Sequence, residues 1–127
     1  MNIKLKFIST ILPIVVTSCI PQGPQVVFSK YVIDFGKINE GITCDTSVML
    51  YNTGDKQLKI FSATTDCGCT KVYMNQKSLN AGDSAALHIS LNTKNKSGNT
   101  ENFVVIQANT DTTLHYIKVI SDVKPKN

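Results

Sequence analysis

The chain has no arginine, only two histidines and only four cysteines in 127 residues. Each shortage removes a class of function. Arginine supplies the forked donors that recognise phosphates and bases, and nucleic-acid binders gather basic residues on one face. Here the basic residues are lysines scattered along the chain, the pattern of a solvated surface, so nucleic acid is set aside as a partner. His88 and His115 stand without an acidic residue or nucleophile at a motif spacing, and each reads as a surface strand residue. There is no Gly-rich phosphate loop, no G-x-S-x-G and no carboxylate pair at helical spacing. The chain therefore reads as a protein that is not an enzyme. Also missing, from Ser29 onward, is any apolar period of 3.6 residues sustained over three turns.

One apolar run does occur, at the start. "MNIKLKF" brings Lys4 and Lys6, and "FISTILPIVV" follows. Ten residues are too few to span a bilayer and suit the apolar region of a secretory signal. The run ends in "VTSC", Val16 to Cys19, which resembles the lipobox of bacterial lipoproteins. That resemblance implies cleavage before Cys19 and a diacylglycerol on its sulfur, giving a signal peptide over 1–18. Acyl chains contribute about 0.8 kcal/mol per buried methylene, so two or three of them anchor a protein stably. "IPQGPQ" then reads as a solvated linker, and 19–28 as a lipidated N-terminus and flexible tether. Ile20, rather than aspartate, after the cysteine points to an outer membrane, and the lack of an acidic run after Cys19 points to an anchor facing the periplasm.

Cleavage leaves 109 residues (127 minus 18), enough for one domain. With Lys4 and Lys6 gone, 11 of the 13 lysines face 9 acidic residues, a net charge of +2. Over 29–124 the sequence alternates in short runs separated by turn residues, the pattern of an all-β sandwich. "KYVIDFGKI" is a strand interrupted at Gly36. "TCDTSVMLYN" places Cys44, Thr46, Val48 and Leu50 on one face. "NTGDK" is a turn in which Gly54 supplies a positive φ. "QLKIFSAT" sends Leu58 and Ile60 inward, and "SAALHISLNT" sends Leu87, Ile89 and Leu91 inward. "NFVVIQANT" and "TLHYIKVISDV" form a final hairpin. The count is about seven strands, that of an immunoglobulin-like β-sandwich, with 125–127 as a tail.

"IDFGKINEG", "LYNTGDKQLKIFSATTDCGCT", "LNAGDSAALHISLNT" and "FVVIQANTDTTLHYIKVISDV", in that order, resemble the bacterial family known as domain of unknown function 1573. The likeness runs from Tyr31 to Val123. It implies an immunoglobulin-like fold, related to chaperone-type and cytoskeletal-motility-type sandwiches, and brings no settled activity. Ala81 replaces a frequent proline and Ser121 a frequent glycine, changes expected only to trim turn rigidity. Cys44 is an addition to the family pattern.

With Cys19 acylated, Cys44, Cys67 and Cys69 remain, an odd number for an oxidising compartment. The two strands flanking the Gly54 turn run in opposite directions, which places Cys44 at the same end of the sandwich as "CGC". A disulfide from Cys44 to Cys67 or Cys69 is allowed by that layout. One within Cys67-Gly68-Cys69 is harder, because residues i and i+2 of an extended strand lie too far apart unless the chain bends at Gly68. A further alternative is a soft-metal site of the Cu(I) type, or a thiol-redox site, using Cys67 and Cys69 with Cys44. The reading preferred on sequence is a structural corner stapled by one disulfide to Cys44. The whole chain then reads as a lipid-anchored envelope protein whose domain binds or scaffolds without catalysis and without a cofactor. Its protein partner is expected at an edge strand, Ser29 to Ile38, by strand addition.

Overall fold

The computed structural model describes residues 9–15 and 22–127. The lipobox Val16–Cys19, and with it the lipidation expected at Cys19, lies outside the described residues. Among the described residues there is no helix, and so none long and apolar enough to cross a membrane.

Among the described residues nine strands build two packed sheets: β1 (Val26–Phe28), β2 (Val32–Asn39), β3 (Thr43–Asn52), β4 (Leu58–Thr65), β5 (Thr70–Met74), β6 (Ser78–Leu79), β7 (Ser84–Asn92), β8 (Gly98–Ala108) and β9 (Leu114–Lys124). One sheet has the order β1-β3-β7-β5, the other β2-β9-β8-β4-β6. All pairings are antiparallel except β2 with β9. The period-2 pattern puts Val48 and Leu50 of β3, Leu87, Ile89 and Leu91 of β7, and Val104 and Ile106 of β8 into the core between the sheets. Leu58 and Ile60 of β4 and Ile117 and Val119 of β9 complete it. The alternation expected on β3, β4 and β7 is thus the observed one.

The strand count exceeds the expected seven because two short strands carry little sequence signal. β6 has two residues, and β1 falls in the segment expected to be tether. The chain is already held at Gly23: its N–H donates to Asp55 Oδ1 at 2.6 Å, its carbonyl accepts Asp55 N–H at 3.2 Å, and Gln25 O accepts Thr53 N–H at 3.0 Å. The folded domain therefore begins ahead of residue 29, and β1 docks on β3 by pairing Val27 with Tyr51.

Three local expectations change. Gly54 has no positive φ; it is required because a Cβ there would collide with the Gly23 carbonyl and the Gln25 amide. Glycine here permits the N-terminal segment to close on the β3–β4 turn. Ser121 is not in a turn: it lies within β9, buried, with its hydroxyl bonded to that of Thr100 on β8. His88 is exposed, as expected, beside the Tyr73 ring at 6.2 Å, but His115 is half-buried near Phe28 at 6.0 Å. Gly36 does break the regularity of β2, through a bulge between Asp34 and Lys37 rather than an end to the strand. Its φ of 66° is left-handed, and its N–H donates to Asp34 Oδ1 at 2.7 Å.

Candidate functional site

The corner from Asp66 to Cys69 is where the chain leaves the five-stranded sheet at β4 and enters the four-stranded sheet at β5. Hydrogen bonds fix both sides of it. Asp66 N–H donates to Phe103 O at 3.2 Å, and Phe103 N–H returns to Asp66 Oδ1 at 2.9 Å, so the acidic side chain extends the β4–β8 ladder by one rung. On the other side Asn92 N–H donates to Cys69 O at 2.8 Å. Between them Thr70 N–H donates to Cys67 O at 3.2 Å, closing a β-turn over Cys67–Thr70. The Thr65 hydroxyl lies 2.7 Å from Cys67 O and 3.1 Å from Thr70 O, bracing the turn from inside.

That turn brings the Cα atoms of Cys67 and Cys69 to 5.2 Å, and the two form a disulfide. An extended strand would hold positions i and i+2 roughly 6.5 Å apart; the turn supplies the closure the sequence left in doubt. Gly68 contributes less than expected. Its φ is not left-handed, and a Cβ added there would meet nothing within 4 Å.

Cys44 is not a partner of either cysteine. It pairs across β3–β7 with Leu91, and Leu91 pairs on its other side with Thr70 of β5. Cys44 is therefore at the expected end of the sandwich but two strands away, roughly 9.5 Å by strand spacing, beyond disulfide reach. It is a half-buried free thiol. A three-sulfur metal set of Cys44, Cys67 and Cys69 would likewise have β7 in its midst. Among the described residues no three His, Cys, Asp or Glu side chains gather as metal ligands.

Two residues that sequence reasoning passed over reach the sulfurs. Lys96 Nζ lies 3.7 Å from Cys67 Sγ, which also accepts Cys69 N–H at 3.2 Å. Asn102 Nδ2 lies 3.7 Å from Cys69 Sγ, and Thr70 Oγ1 3.6 Å from it. Lys96 is placed by a built loop. Thr93, fully buried, accepts Ile42 N–H on its hydroxyl at 2.9 Å, and that hydroxyl lies 2.8 Å from Asn39 O. Lys96 N–H then donates to Thr93 O at 3.1 Å, with Asn95 between them at φ 61°. The signal in sequence was "NTKNKSG": an asparagine able to turn left-handed between two lysines. Beside the disulfide opens a cleft of about 330 Å³, lined by Gly68, Cys69, Lys71, Thr43, Asn92 and Lys94 among others.

His115 belongs to no such cluster. Its Nε2 lies 2.7 Å from Thr110 Oγ1. Burial pushes its pKa below the ordinary 6.5, against a smaller opposing effect of a backbone hydrogen bond at Thr112.

Comparison with known proteins agrees with this architecture. A protein of unknown function from Porphyromonas gingivalis W83 superposes with a TM-score of 0.71 at 19% identity over 84% of this chain, which spans 50% of that one. The PapD-like domain 7 of human CEP192 gives 0.65 at 11% identity, covering 93% of this chain and 98% of its own. WR4, a C. elegans MSP family member, gives 0.55 at 12%, covering 78% and 97%. Likeness at these identities concerns the fold, an immunoglobulin-like sandwich of the PapD and MSP kind. No curated protein matches the sequence significantly. Residues 26–123 match the family described as Protein of unknown function (DUF1573), from β1 to the end of β9, and the chain belongs to that family.

Proposed function

We propose that the domain is a binding or scaffolding module of the bacterial envelope, tethered through an acylated Cys19 to the outer membrane and facing the periplasm. It engages a protein partner by strand addition. The observation that carries this reading is the position of β2: eight residues long, at the border of the five-stranded sheet, with β9 as its one neighbour among the described residues. Tyr31 O accepts Lys118 N–H at 2.9 Å, so alternation turns the N–H and C=O of Val32 toward the open side. Val32 and Tyr116 are about half exposed on the outer face of the same sheet and offer apolar contact beside those free groups. The bulge at Gly36 limits this docking segment to the first half of β2. That is the N-terminal part of the Ser29–Ile38 stretch expected from sequence.

The test is site-specific photo-crosslinking in living cells, with the reactive group at position 32 or, as a comparison, at Tyr73 on the border strand β5. A discrete adduct at 32 that disappears in Asp34→Pro, which removes the next N–H on the open side, with the fold intact by circular dichroism, supports strand addition at β2. Adducts confined to position 73, or none at 32, would remove it.

A further inference from the structure

Binding by β2 makes no use of the disulfide. It is also a poor staple. A bond between residues two apart closes so small a loop that it constrains the unfolded chain very little, whereas stabilising disulfides close long ones. The corner is already held by Asp66, Thr65 and Asn92 through hydrogen bonds that do not involve sulfur. What surrounds the sulfurs suits chemistry instead. Cys67 Sγ has an ammonium group and a backbone N–H directed at it, both of which stabilise a thiolate. Cys69 Sγ has a neutral amide and a hydroxyl, and Cys69, unlike Cys67, lines the cleft. Gly68 is demanded neither by φ nor by space, and its lack of a side chain leaves the approach to the pair open.

We propose that Cys67–Cys69 is a thiol-disulfide exchange site, in which Cys69 is the sulfur attacked and Cys67 the leaving group held by Lys96. Its substrate class is a thiol, presented in the cleft between Lys71 and Lys94, whose positive charge favours the thiolate form of the incoming group. The substrate sulfur attacks Cys69 Sγ. A new S–S bond forms there, the Cys67–Cys69 bond breaks, and its electron pair goes to Cys67 as a thiolate beside Lys96. A second substrate thiol, giving its proton to solvent, attacks the substrate sulfur of this mixed disulfide and releases the Cys69 thiolate. The protein pair gains two electrons and the substrate dithiol loses two, becoming a disulfide. The leaving thiolate is the better stabilised of the two, the arrangement that speeds exchange. The sequence offered a thiol-redox alternative that included Cys44; the geometry confines it to Cys67 and Cys69 and adds Lys96.

The experiment uses the full chain with Cys19→Ala and Cys44→Ser, so that adducts report on the pair alone. The oxidised protein is reacted with glutathione in one arm and with a peptide dithiol in another, and the adduct is located by mass spectrometry. Expected are a mixed disulfide on Cys69 and a rate lowered about fivefold or more by Lys96→Met and recovered in Lys96→Arg. Gly68→Val, whose Cβ meets nothing within 4 Å, is expected to shield the pair and slow both arms with an unchanged melting temperature. Adducts on Cys67, a Lys96→Met rate equal to that of the parent, or reduction only in denaturant would each overturn the proposal. So would a fall in Tm of more than about 10 °C on reduction, since that would mark a structural bond.

Discussion

Asn52, the first residue of the N-T-G element, is 1% exposed, and all of its amide hydrogen-bonding capacity is used. Its Nδ2 donates to Lys56 O at 2.8 Å and Leu79 O at 3.0 Å, while Oδ1 accepts Gly54 N–H at 3.0 Å and Gln25 N–H at 3.4 Å. One side chain thus ties together the N-terminal segment, the β3–β4 turn and β6. Asn52→Ala strands these backbone groups in a buried place, and a loss of about 2–4 kcal/mol is expected. Thermal melting checks it: for a domain of this size that loss lowers Tm by on the order of 10–20 °C. His115 gives a residue-scale prediction in pH. Because burial holds its pKa below 6.5, the folded state resists the proton that the unfolded chain accepts. Its contribution to stability is whole above pH 6.5 and is lost as the pH falls through the lower folded value. NMR titration should place the His115 midpoint below the ordinary 6.5. In His115→Gln the decline of Tm across that window should be smaller.

At the scale of elements, the domain depends on short strands that a pattern search passes over. β1 has three residues and β6 two, yet β1 covers the flank of β3 and β6 caps β4. Each buries one core side chain, Phe28 of β1 and Leu79 of β6, and β1 depends in addition on a close approach of backbone. Gly54 is where the Gly23–Gln25 segment comes nearest, and nothing larger fits. Gly54→Ala is expected to push that segment off the β3–β4 turn, costing about 1–3 kcal/mol. Hydrogen exchange should then accelerate at Thr53 and Asp55, whose N–H groups bond to Gln25 O and Gly23 O, before it does at the β3–β7 ladder. Equal acceleration in both places would show that β1 is part of the same cooperative unit as the core.

For the whole molecule, the two sheets put the proposed activities in different places. The open side of β2 borders one sheet, while the disulfide cleft lies on the other, against β3, β7 and β5. Strand addition at β2 therefore leaves Cys69 accessible. The fold takes hold at Gly23, so the anchor proposed at Cys19 leaves only a few residues between lipid and domain. Metabolic labelling with a fatty acid is expected to mark the wild-type protein and not Cys19→Ala, which should also leave the membrane fraction. Equal label in both would remove the anchor while leaving the β2 contact to stand on its own test.

Much of the sandwich was legible in the sequence because a strand with one buried face writes a period of two. The inward sets on β3, β4 and β7 follow from that alone, as does the hairpin of β8 and β9. Local chemistry also exposed the unusual corner: two cysteines one residue apart have few reasons to exist. The partner of each cysteine was decided only in three dimensions. Cys44 and the pair share an end of the sandwich, but β7 runs between β3 and β5, and which strands are neighbours is a long-range choice that periodicity does not record. Lys96 and Asn102 meet the sulfurs from positions 29 and 33 residues away. Lys96 does so because the β7–β8 connection crosses the same end as the β4–β5 corner, and Asn102 because β8 pairs with β4 beside that corner. The residues alone fixed which faces are buried; the packing of one sheet on the other determined which side chains surround the Cys-Gly-Cys.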